Sequence, residues 1–102
     1  MIQVIIYLDD QHDPEELVLK LLKNQLAAKA TIDRGNTSYF LLDNQLKTQT
    51  RNIITVQTRA LLFSEIEEFL YTLYQKEIPM CSLPITQSNR AFSDFIRANT
   101  KK

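Results

Sequence analysis

Asp9, Asp10, His12 and Asp13 form the densest group of side chains in this sequence that could do chemistry. Carboxylates with one imidazole can hold a divalent cation such as copper or zinc. Acidic residues between a strand and a helix more often act as caps, and Asp13, directly before Pro14, suits that role. Cys81 beside Met80 offers two sulfur atoms on a short strand, which could attract a soft ion such as Cu(I) if a three-fold axis brought copies together, although a free cysteine is more often a small buried apolar side chain. Catalysis finds little support. His12 is the only histidine, and no serine or cysteine stands in a motif that would activate it as a nucleophile. A phosphate-cradling loop needs several glycines, and Gly35 is alone. A base-stacking sheet needs paired aromatic residues, yet the first strand offers only Tyr7 and residues 53–56 offer none, which argues against RNA recognition.

The elements that must position these residues follow from local signals. Residues 2–8 are a short apolar run rich in β-branched side chains, ended by polar residues, and read as a strand buried on both faces. Asp13-Pro14-Glu15-Glu16 starts a helix: Asp13 caps, Pro14 has no N–H to lose, and the glutamates suit the positive end of the dipole. Leu17, Val18, Leu21, Leu22 and Leu26 form its apolar side. An extended segment begins at Ala30, with a turn or bulge predicted at Gly35, where positive φ is least costly. Residues 37–42 and 46–59 form a hairpin turning at Asp43-Asn44, and the second arm is unusually long. It begins polar on both faces and ends apolar, so it starts exposed, ends buried, and could pair with another subunit.

Ser64 and Glu67 have the spacing of a capping box, ahead of a helix carrying Ile66, Phe69, Leu70 and Leu73 and ending near Gln75. Residues 80–83, bracketed by Pro79 and Pro84, form an edge strand. Residues 91–98 carry Phe92, Phe95 and Ile96 at helical spacing and close the chain before a lysine tail. Strand, helix, hairpin, helix and strand give the β-α-β-β-α-β order of the ferredoxin-like α+β fold, with both helices on one face of an antiparallel sheet.

The 102 residues, 44% hydrophobic and 24% charged, suit one domain, residues 1–102, with a genuine core. Twelve basic and twelve acidic residues leave no net charge to steer the chain to nucleic acid or membrane. A single cysteine makes no internal disulfide, and no apolar run approaches the roughly 18 residues of a membrane span. The first eight residues, followed at once by Asp9 and Asp10, read as a strand and not a signal peptide, so a cytoplasmic location is expected.

With the elements placed, the chain resembles the CutA family of divalent cation tolerance proteins, related in shape to the PII signalling proteins. The resemblance rests on Leu26-Ala27-Ala28-Lys29-Ala30-Thr31-Ile32 with Gly35 and Thr37-Ser38, and on Leu83-Pro84-Ile85 followed by Phe92, Phe95 and Ile96. It implies a non-enzymatic homotrimer whose hairpin arms complete sheets between subunits. It also implies clefts between subunits, lined by Tyr39, Phe40, Tyr71 and Tyr74 with Lys29, Lys76 and Glu77, where a divalent cation or a small anionic metabolite binds in a metal response or signalling role. The sequence departs from the family at Lys29, where the family has cysteine, and around Leu41 to Asn44, where it has tryptophan and glycine. Its His-Pro-Tyr-Glu run is Tyr74-Gln75-Lys76-Glu77 here. Two alternatives stand beside this reading: an interaction module that kept the trimer and lost the ligand site, and a small ferredoxin-like enzyme such as a dimeric isomerase with His12 as base.

Overall fold

The computed structural model describes residues 1–101; Lys102, the end of the lysine tail, lies outside the described residues. Strand β1 spans Ile2–Asp9, helix α1 Pro14–Lys23, β2 Lys29–Leu42 and β3 Gln45–Thr58. A short 3-10 turn, Ala60–Leu62, leads into α2, Phe63–Tyr74; β4, Met80–Pro84, and α3, Arg90–Ala98, complete the chain. All strand pairs are antiparallel and the sheet order is β2-β3-β1-β4. This is the ferredoxin-like arrangement, with β2 and β4 as the two edges. No helix among the described residues is long and apolar enough to cross a membrane.

The core lies between the sheet and the helices. Successive side chains of a strand alternate between faces, and β1 shows it: Ile2, Val4, Ile6 and Leu8 are buried, while Gln3, Ile5 and Tyr7 are half-buried. The expected burial of β1 on both faces is therefore corrected, because the helices cover only one. A row of apolar residues crosses the covered face in register, Ile32 beside Ile54, Ile54 beside Ile6, and Ile6 beside Met80. Leu17 and Leu21 of α1 and Ile66 and Leu70 of α2 close over it.

Asp13 caps α1 as expected, its Oδ1 accepting from the N–H groups of Glu15 at 3.0 Å and Glu16 at 3.4 Å. The helix ends sooner than its apolar pattern suggests. Gln25 turns the chain with a φ of 56°, so Leu26 is not on α1, although it reaches the core all the same. The capping box at Ser64 does not form: α2 begins at Phe63 with Leu62 at the cap position and no side-chain cap. Leu62 is itself buried, and seating it in the core draws the helix start ahead of Ser64.

Gly35, with φ of +64°, makes the bulge expected there, a register shift between Asp33 and Asn36 inside one continuous strand. Its N–H donates to Asn52 Oδ1 at 3.1 Å. Asp43 and Asn44 both take positive φ, 51° and 66°, as a two-residue hairpin turn requires. From 37 to 50 every residue is exposed, and the molecule reaches 47 Å along its longest axis.

Thr58 ties the base of this hairpin to the turn after α1. It is fully buried, and its hydroxyl donates to the Leu26 carbonyl at 2.6 Å. Thr58→Val keeps the shape and leaves that carbonyl without this donor, so a loss of about 1–3 kcal/mol is expected in urea unfolding. An unchanged midpoint would show that the bond carries no net stability.

Candidate functional site

The loop from β1 to α1 meets the end of α2 through two contacts. Asp9, the last residue of β1, receives Lys76 Nζ at 2.6 Å on Oδ2 and Arg51 Nε at 3.4 Å on Oδ1. Arg51 stands directly across from Asp9 in the β1–β3 register. Lys76 arrives because Gln75, in the left-handed conformation with φ of 58°, ends α2 and turns the chain. The Lys76 hydrogen bond holds the Asp9 carboxyl below its ordinary value; partial desolvation opposes this, and the charge of Lys76 and the bond and charge of Arg51 add to it.

The second contact is between rings. His12 lies 4.4 Å from Tyr74, centroid to centroid, at an interplanar angle of 41°. His12 Nε2 is buried with no hydrogen-bond partner among the described residues. Burial pushes the Tyr74 phenol up to about 12, with the negative charges of Glu16 and Asp13 adding to the effect.

Because the folded-state pKa of Asp9 is lowered, the stability it contributes is present above its unfolded value near 3.8 and is lost as pH falls through the folded value. Lys76→Met should therefore destabilise the chain at neutral pH and show a shrinking difference from wild type as acid titrates Asp9. Urea midpoints measured from pH 7 down to pH 2 would check this; a pH-independent difference would mean that Lys76 acts through packing alone.

The candidate ligands are dispersed. Asp13 is held by its cap, Asp10 is exposed, and Asp9 already faces two cations. Cys81 pairs with Ile5 on the open face of the sheet, whereas Met80 pairs with Ile6 on the covered face. Within one chain the two sulfur atoms thus point to opposite sides, as the two-residue period of a strand requires. Among the described residues no three of His, Cys, Asp or Glu come together to hold a metal ion. One chain by itself thus offers no converging donor set for a divalent cation among the described residues.

The cleft residues are also apart within one chain. Ten strand positions, roughly 33 Å at 3.3 Å each, separate Lys29 at the foot of β2 from Tyr39 on the exposed arm. Lys76 turns to Asp9, while its neighbour Glu77 lines a cleft with Glu67 and Glu68 of α2. A small anion would meet three carboxylates there. Arg51 and Glu68 are not singled out by the sequence, and Glu67 stands there only as half of a capping box. Adjacent glutamates on a helix facing solvent are a visible signal, but Arg51 is recognisable only once the β1–β3 register is known.

An antiparallel ferredoxin-like sheet covered on one face, with two open edges and a long exposed hairpin, defines the class of this protein. The model of the CutA1 divalent ion tolerance protein family matches residues 2–99, and the chain belongs to that family. The divalent-cation tolerance protein CutA of Thermus thermophilus is 26% identical over 98 residues, covering 95% of each chain. A solved structure of the divalent cation tolerance protein from the same organism superposes with a TM-score of 0.85 at 24% identity, covering 99% of this chain and 100% of that one. CutA1 from Oryza sativa gives a TM-score of 0.87 at 19% identity, covering 99% and 94%. These likenesses extend to the whole fold.

Proposed function

We propose that this chain acts as a non-enzymatic homotrimer in divalent-cation tolerance, with the cation or a small metabolite bound in clefts between subunits. The observation that carries the reading is the hairpin arm. Residues 37–50 are exposed throughout, with Tyr39, Leu41 and Leu46 each 68% exposed, Leu42 55% and Phe40 42%. A two-stranded ribbon is marginal alone in water, and open edges with apolar side chains invite a further strand. A second copy supplies one, since β2 and β4 are both unpaired on their outer sides. Assembly would also let the arm of one copy, with Tyr39, approach the Lys29, Lys76 and Glu77 of another, residues that one chain keeps apart. Divalent cations enter from family membership. The non-enzymatic part is supported by His12, whose Nε2 is closed off from solvent beside Tyr74 and so is badly placed to take a substrate proton.

Light scattering at micromolar concentration tests the assembly, which a stable monomer would rule out. Calorimetry with Cu(II) and Zn(II) on the assembled protein tests the ligand role, which fails if neither gives saturable heat. A second reading, an interaction module without a ligand site, is favoured by the engagement of Asp9 with Lys76 and Arg51 and of Asp13 with the helix cap. Replacing Lys29 and Glu77 together without changing any binding or cellular response would select that second reading.

A further inference from the structure

The outer side of α2 and the segment leading into β4 enclose a cleft of about 850 Å³, within the size range of small-molecule sites. Its floor is apolar, with Ile78 buried and Met80 half-buried. Glu67, Glu68 and Glu77 stand around that floor, and the Tyr71 ring, 54% exposed, forms part of the wall. None of these three carboxylates makes an ion pair among the described residues. Lys76, the cation nearest in sequence, is drawn away to Asp9, and Lys101 pairs with Glu65.

The charge of the cleft is spread out. Residues adjacent on a helix do not face each other, so Glu67 and Glu68 point in different directions, and Glu77 belongs to the following segment. A divalent metal ion needs its oxygen donors converging within about 2–2.6 Å of one point, and no three acidic side chains converge here. A linear ligand with separated positive charges fits better. Its ammonium groups could meet the carboxylates one by one, its methylene spacers could cover the apolar floor, and one charge could lie over the face of Tyr71.

We infer that this cleft binds an aliphatic polyamine, with Glu67, Glu68 and Glu77 receiving the ammonium groups and Ile78 and Met80 the methylenes. The site goes beyond the reading above, because one chain supplies its whole lining, and it shares only Glu77 with the cleft proposed between subunits. The test is calorimetric titration of the full chain with spermidine at low ionic strength, repeated with hexaamminecobalt(III), a compact trivalent cation without methylenes. Saturable binding of one spermidine per chain is expected. The loss of charge-assisted hydrogen bonds in Glu67→Gln/Glu68→Gln should weaken it by about tenfold or more. Hexaamminecobalt(III) should bind weaker by a similar factor, and Met80→Ser should reduce spermidine binding alone.

Non-saturable binding, equal affinity for the two cations, or unchanged affinity in the carboxamide variant would each overturn the inference. Glu67 and Glu68 are exposed, so the carboxamide variant should fold; Met80 packs against the core, so Met80→Ser is compared at a temperature where thermal unfolding shows both variants folded. Light scattering on the same samples separates the two readings. A trimer that ignores spermidine sinks only the polyamine site, and a monomer that binds it sinks only the assembly.

Discussion

Leu41→Asp/Leu46→Asp is expected to yield a folded monomer. The two leucines are register partners beside the Asp43-Asn44 turn, and each is 68% exposed. Neither belongs to the core of its own chain, so their removal takes little from the fold. In the proposed trimer they would lie against a neighbouring copy. Burying a leucine contributes about 1.5–3 kcal/mol, so losing two weakens each contact by about 3–6 kcal/mol before any penalty for the new charges. At 1.4 kcal/mol per tenfold, subunit dissociation should be favoured by about 10²- to 10⁴-fold. Light scattering across a dilution series would show the mass falling to one chain, while circular dichroism stays unchanged. If the double variant keeps the mass of the wild type, the arm does not hold copies together.

The signals that were legible in the sequence are those whose physical cause is local. Asp13-Pro14 starts a helix because the cap bonds reach only two or three residues onward. Asp43-Asn44 and Gly35 mark positive φ because so few residues tolerate it. The Ser64 and Glu67 pattern failed where a tertiary demand intervened: burial of Leu62 through the 3-10 turn starts α2 ahead of Ser64. Leu26 likewise suits a helical stripe, but enters the core from a turn. The pairing of Asp9 with Arg51 and Lys76 joins residues 42 and 67 positions apart, and no spacing rule reaches that far. The hairpin was visible as an element with unusual length, whereas the acidic cleft required knowing which side of α2 the sheet leaves open.

The departures from the CutA family's pattern have local structural roles. Tyr74-Gln75-Lys76-Glu77 stands where the family resemblance places a His-Pro-Tyr-Glu run. Tyr74 meets His12, Gln75 takes the left-handed φ of 58° that ends α2, and Lys76 binds Asp9. Proline is locked near a φ of about −65°, so it could not occupy position 75 in this conformation. The substituted run is coupled to the β1–α1 loop: a lysine now meets the aspartate that was the first candidate for a cation ligand. An ammonium carried by the chain itself satisfies Asp9 without any metal, consistent with its lowered pKa. For this reason a ligand role is better sought in clefts than in that loop.

Ile6→Ala should cause the largest loss of stability among single substitutions in β1. Ile6 is fully buried on a central strand, flanked by Ile54 and Met80, and faces the side of the sheet that the helices cover. Interiors pack like crystals, and the neighbours close only partly around a lost side chain, so about 2–5 kcal/mol should disappear. That is a large fraction of the roughly 5–15 kcal/mol that holds a typical domain together. Ile5, one residue earlier, points to the open face and is only half-buried, so Ile5→Ala should cost less in the isolated chain. Urea unfolding of both variants in the monomeric Leu41→Asp/Leu46→Asp background isolates the two faces from any contact between copies. Equal and small losses would mean that β1 does not present Ile6 to the core. In the assembled protein a cost at Ile5 that rises with protein concentration would instead show that the open face is buried between copies, since only an interface ties the worth of a side chain to how often chains meet.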